Sequence, residues 1–208
     1  MILSQKLVLT REWWPFMTSI ERLVDEPLRS QIKAMVEDNL DVMLPAWGSV
    51  HNHQAWTGGW IDHYADGFNQ ARMHFALEDW LRPLPFTLHD VIVAFFAHDI
   101  EKPWKYELRE DGLLYHRPEF DTKQDANEFR LRKLAEYGIE LTPLQANAME
   151  FAEGEGAAGK YSNRERRSSP LAGFVHMIDG LSARVRHDYP LAHDDLWMGA
   201  HRSHASNT

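Results

Sequence analysis

Apolar positions recur at three- and four-residue intervals along most of the chain, the spacing of helices that each bury one face. Residues from about Glu26 to Met43 follow this spacing, with Pro27 in the first turn and Pro45 beyond the end, which predicts one amphipathic helix. A second is predicted from Trp60 to about Asp79, with His63, Gly67, Gln70 and His74 on one face; Gly67, one turn after His63, would leave room near a bound ion. Val91, Phe95 and His98 share one face and Ile92 and Phe96 the next, the pattern of a buried helix, and Thr87 with Asp90 forms a capping box at its start. Thr122 with Asp125 begins another helix that stops at Gly138, and Thr142-Pro143 with Gln145 begins one that ends near Gly154. Ser169-Pro170 opens the helix that carries Asp179.

Residues 104–117 break the helical period. Tyr106 and Leu108 alternate with charged residues, Asp111-Gly112 is a hairpin turn, and Leu114 and His116 alternate afterwards, so a small β-hairpin is expected in an otherwise all-α chain. From Pro190 onward, including His193, His201 and His204, there is no periodicity, and a loose tail is expected. No internal repeat is visible.

Composition narrows the function classes. The 208 residues fit a single domain, and 44% hydrophobic with 25% charged residues is a globular balance. There is no run of eighteen apolar residues and no secretory pattern at the start, and there are no cysteines, so a cytoplasmic protein without a membrane span is expected. A net charge of −9 argues against an extended nucleic-acid surface, which needs clustered Lys and Arg. The local exception is Lys160 to Arg167, with Arg164, Arg166 and Arg167, which follows Gly154, Gly156 and Gly159 and reads as a flexible loop.

The chemistry concentrates where the buried helix ends in His98-Asp99. An anionic Asp at a helix C-terminus faces the negative end of the macrodipole, and its apolar neighbours desolvate it. A bound cation relieves both costs, with the imidazole and carboxylate as ligands. Upstream stand His51, His53 and His63 around Gly58-Gly59; downstream, His176 and Asp179 share a helix face.

Three segments in order, GGWIDH ending at His63, HDIEK at His98–Lys102 and IDGLSAR from Ile178, resemble the HD-domain superfamily of metal-dependent phosphohydrolases. Members of one large branch carry GGLLEH, HDIGK and DxLSA or DxLDA. The resemblance covers roughly residues 48–187 and implies a single HD-type helical bundle, with residues 1–47 as an N-terminal helical extension and 190–208 as the tail. It implies His63, His98, Asp99 and Asp179 as ligands of one divalent ion, for which Mn, Co, Ni, Fe, Zn and Mg remain open. It further implies hydrolysis of a phosphate ester or anhydride of a small nucleotide, a nucleoside monophosphate or a deoxynucleoside triphosphate, through a metal-activated water.

On this resemblance Glu101 and Lys102 are the catalytic candidates beside the ion. Lys102, Trp56, Arg164, Arg166 and Arg167 are candidates for binding substrate, Trp56 or Trp104 by stacking on a base. The chain also departs from the two-metal pattern. Met149 to Gly156 holds no histidine where such enzymes often carry a His-His pair, so one ion is expected, with His116 and His53 as the candidates for a second site. Glu101 replaces the glycine of HDIGK. Two alternatives stay open at this stage: an HD-type 3′–5′ exonuclease on single-stranded nucleic acid, and a non-catalytic metal-binding regulatory protein. A homo-oligomer is compatible with either.

Overall fold

The computed structural model describes residues 13–50, 52–111, 113–156 and 166–187. Its helices are α1 (Phe16–Leu23), α2 (Leu28–Asp38), α3 (Leu40–Met43), α4 (Gly59–Leu81), α5 (Leu88–His98), the single turn α6 (Lys102–Lys105), α7 (Lys123–Glu136), α8 (Pro143–Glu150) and α9 (Pro170–Gly180). A π-helical turn over Leu181–Val185 continues α9, and a 3-10 turn spans Pro118–Phe120. The one sheet among the described residues is the antiparallel pair β1 (Tyr106–Leu108) and β2 (Leu114–His116), in register Tyr106↔His116 and Leu108↔Leu114. The chain is thus mostly helical with a small hairpin. No helix among the described residues is long and apolar enough to cross a membrane.

Helix α5 is the axis of the fold. Every side chain from Val91 to His98 is buried, because α1, α4, α8 and α9 pack around it. The unbroken apolar run fits this position, since a helix wrapped on all sides has no polar face. Its first turn is held by the Thr87–Asp90 capping box, and the boxes at Thr122–Asp125 and Thr142–Gln145 start α7 and α8. Ser169 accepts from the Ala172 N–H to start α9. Gly138, at φ +67°, closes the end of α7 in the left-handed conformation that glycine adopts without strain.

Helix α4 crosses α5 closely. Tyr64 donates to Phe96 O at 2.7 Å and Trp60 Nε1 donates to Asp99 O at 3.0 Å, so Trp60 is a core residue that also braces the turn after α5. Gly67 has a different role from the one its spacing suggested. A Cβ there would lie 2.2 Å from Phe95 Cζ, so the missing side chain admits the Phe95 ring rather than an ion.

The N-terminal part differs from its predicted form in two ways. Helix α1, which falls in the expected helical extension but had no predicted bounds, inserts Phe16 and Ile20 into the core, with Phe16 stacked on Phe68 at 5.7 Å. The eight residues of α1 follow Pro15, which offers no capping side chain, so no local start signal marks the helix. The expected continuous helix to Met43 breaks at Asn39, whose side chain donates to Met35 O and Tyr137 Oη and so anchors the break to the end of α7. Ile32 and Met35 are fully buried, so these helices are part of the core cluster and not an appendage to it.

The close approach at Gly67 predicts that Gly67→Ala forces the Phe95 ring out of place and costs about 1–3 kcal/mol, the usual range for overpacking. Chemical denaturation of the two proteins measures the difference; equal midpoints would show that Phe95 can yield.

Candidate metal centre

Four side chains converge where α4, α5 and α9 meet. His63 comes from the first turns of α4, His98 is the last residue of α5, Asp99 is its C-cap, and Asp179 precedes the final residue of α9. One ligand atom from each lies within 4.8 Å of all the others. His98 Nε2 stands 3.1 Å from Asp99 Oδ2 and 3.5 Å from Asp179 Oδ1; His63 Nε2 stands 3.4 Å from Asp179 Oδ1 and 3.7 Å from Asp99 Oδ2. Donors placed about 2.1 Å from one ion stand about 3.0–3.4 Å apart, so the spacing suits a single cation.

The hydrogen bonds behind the imidazoles set their chemistry. His98 Nδ1 is bonded to Phe95 O, a pure acceptor, and must carry its proton there. His63 Nδ1 faces Ser182 Oγ at 3.1 Å, while the Ser182 hydroxyl points back towards His63 O at 3.4 Å, so Ser182 accepts from the ring. Both Nε2 atoms therefore face the carboxylates, where each can take a proton or a metal ion. Both are buried, and neither has a hydrogen-bond partner among the described residues. Buried polar atoms are rarely left so, and ligating histidines characteristically donate their other N–H in this way. The cluster can hold a metal ion, and its donor set fits one.

The electrostatics express the same demand for positive charge. Burial alone would lower the His98 pKa, but Asp99 and then Asp179 outweigh it and raise it to about 10. Burial likewise opposes ionisation of Asp99 and Asp179, yet His98 and Lys102 hold Asp99, and His63 and His98 hold Asp179, well below the ordinary carboxylate range. The Lys102 ammonium is buried against Asp99 Oδ2 at 2.5 Å, and this carboxylate outweighs desolvation to keep the lysine charged. Lys102 also contacts His53 Nε2 at 3.3 Å, and the His53 ring lies 4.9 Å from that of His63. Burial and then the Lys102 charge lower the His53 pKa to about 3, so this ring is neutral.

Glu101 is buried, its carboxyl 3.9 Å from Arg130 Nη1 and 4.0 Å from Lys105 Nζ, and burial raises its pKa. Arg130 in turn bonds His98 O, closing the end of α5. Glu101, Arg130, Lys105 and His116 line a cleft of about 570 Å³ that also reaches His98.

The other sequence candidates lie further out. His116 is exposed on β2, outside the four-residue cluster. Trp56 spends its indole N–H on Asp62 Oδ2 at 2.8 Å, and Trp104 packs on Phe129. Arg166 and Arg167 are exposed, the Arg167 backbone being held by Glu155; Arg164 and His51 lie outside the described residues. Sequence reasoning overlooked Ser182, Gln54 and Arg130. Ser182 was findable, because it follows Asp179 by three residues on a helical face. Gln54 and Arg130 reach the site from loop geometry and a distant helix, which no local spacing announces.

The raised His98 pKa means that the metal-free cluster keeps a proton at neutral pH, which an incoming ion must displace. Affinity for Mn²⁺ or Zn²⁺ should therefore rise between about pH 6 and pH 8, with proton release on binding. Titration calorimetry in buffers of different ionisation enthalpy reads both; binding that releases no proton and ignores pH would show that the imidazoles are not ligands.

Comparison of the chain with protein-family models, with curated proteins and with solved structures gives no match.

Proposed function

We propose that the protein is a metal-dependent phosphohydrolase of the HD type, acting on the phosphate of a small nucleotide. The observation that carries this reading is the pair of buried, unpartnered Nε2 atoms facing two carboxylates, with a buried ammonium at their edge. That combination has little structural use: replacing it by apolar side chains would spare the desolvation of five polar groups.

His63, His98, Asp99 and Asp179 would hold one divalent ion, which supplies Lewis acidity towards a phosphoryl oxygen and a lowered pKa for water. Lys102 binds and orients. Its ammonium has three donors, of which Asp99 and His53 take two, leaving one for a phosphoryl oxygen as negative charge builds on it. The cleft beside His98 is of the size that small ligands occupy, and we assign the nucleoside to it. Glu101, in its wall and with its pKa raised by burial, is our candidate for giving a proton to the leaving oxygen. Arg166 and Arg167 stand exposed at the end of the basic segment and add positive charge for the outer phosphates.

The acidic exterior and the enclosed centre favour a mononucleotide over a strand, which would need a basic track to the ion. Metal-loaded protein should hydrolyse a nucleoside monophosphate or deoxynucleoside triphosphate faster than it trims an oligonucleotide, with only a modest response to salt. Faster release from a single-stranded oligomer, falling steeply with salt, would make it an exonuclease. No turnover with any metal would leave a binding protein.

Replacing Arg166 and Arg167 by Ala should raise KM several-fold while the melting temperature stays within about 2 °C, since these exposed side chains contribute little to stability. Unchanged kinetics would reduce the segment to ordinary surface.

A further inference from the structure

Gln54 is buried and holds the left-handed backbone conformation at φ 42°, which a non-glycine residue adopts at a cost. Its neighbourhood shows what maintains it. The backbone N–H donates to His187 O at 2.7 Å, and the side-chain Nε2 donates to Ser182 O and to Arg186 O, each at 3.1 Å. Both amide hydrogens are thus spent on carbonyls, which fixes which end of the amide is oxygen. That oxygen, Oε1, lies 2.7 Å from His53 Nδ1. It has no hydrogen to give, so the proton in this bond sits on His53 Nδ1.

The consequence passes across the ring. Lys102 Nζ, 3.3 Å from His53 Nε2, has only hydrogens to give, so Nε2 accepts with its lone pair and the ring carries its one proton on Nδ1. Lys102 is then tied at two points, to His53 and to Asp99 Oδ2. A flexible four-carbon stem is held in one place by these two bonds. The chain of contacts is continuous, from the turn after α9 through Gln54, His53 and Lys102 to Asp99.

We propose that Gln54 is a positioning residue: it sets the tautomer of His53 and through it aims the Lys102 ammonium at the phosphate position beside the metal centre. The tautomer follows from the hydrogen bonds alone; the effect on phosphate rests on the phosphohydrolase reading above.

Two measurements test it. In metal-free protein carrying ¹⁵N-labelled histidine, long-range ¹H–¹⁵N spectra at pH 7 should show His53 as the Nδ1–H tautomer. An Nε2–H tautomer, or a doubly protonated ring, overturns the proposal without any variant. Second, Gln54→Met and His53→Leu should each weaken binding of inorganic phosphate to the metal-loaded protein by roughly 10-fold, the low end for lost supporting bonds around a metal site, with metal content unchanged. His53→Leu leaves the Gln54 anchors to Ser182 and Arg186 in place, so it answers the question if Gln54→Met fails to fold. Undiminished phosphate affinity in a folded variant overturns the positioning role. Should the unaltered protein bind no phosphate, the proposed function falls, and the tautomer alone decides whether Gln54 sets His53.

Discussion

The constraint on which the structure turns is the burial of two carboxylates against two imidazoles at the C-terminal end of α5. Each member of this set is costly in an apolar interior unless a neighbour compensates it. Asp99 and Asp179 need positive charge, and His63 and His98 have already committed their Nδ1 atoms elsewhere. What remains is a pair of lone pairs facing a pair of anions. A proton on His98 satisfies this arrangement in part; an ion satisfies all four groups at once.

Much of the surrounding fold serves to bring those four residues to one point. Helix α5 must be wrapped on every side for His98 and Asp99 to be desolvated, which explains why its sequence has no polar face. Helix α4 must pass close enough for His63 to reach, and Gly67 opens that path by admitting Phe95. The π-helical turn after α9 places Ser182 behind His63 while Asp179 faces the ion position, an irregularity of the kind that recurs at functional sites. Gln54 then ties the same turn to the loop that bears His53.

The parts legible in the sequence were those with strong local chemistry. Three capping boxes marked the starts of α5, α7 and α8, because each is a contact between residues three apart. The hairpin showed through alternation and the turn at Asp111, whose side chain accepts from the Leu113 N–H. The four candidate ligands were found through segments whose order matched a known pattern, and the structure brings all four together. What stayed hidden was non-local. The role of Gly67 depends on a ring from another helix, the break at Asn39 on a hydroxyl 98 residues away, and Arg130 on a carbonyl 32 residues before it. Helix α1 lacked a capping side chain at its start, although Phe16 and Ile20 carry the right spacing.

The absence of a histidine pair between His98 and Asp179 has a physical counterpart in the packing. Along the stretch from Met149 to Gly156, Met149, Phe151 and Ala152 are buried in the core, while the exposed Glu153 pairs with Lys123 at 3.3 Å. On the single-ion reading proposed above, the charge of a bound phosphoryl group is met by that ion and by fixed cations of the chain. Lys102 is the buried cation closest to that task, with Asp99 holding its charge in place. Its usefulness depends on where its third donor points, since a point charge on a flexible stem gives little orientation by itself. The two bonds that restrain it, to Asp99 and to His53, make a loose lysine into a directed one. In this reading the chain replaces a second ion with an aimed ammonium, and the strained backbone at Gln54 is the cost of the aiming.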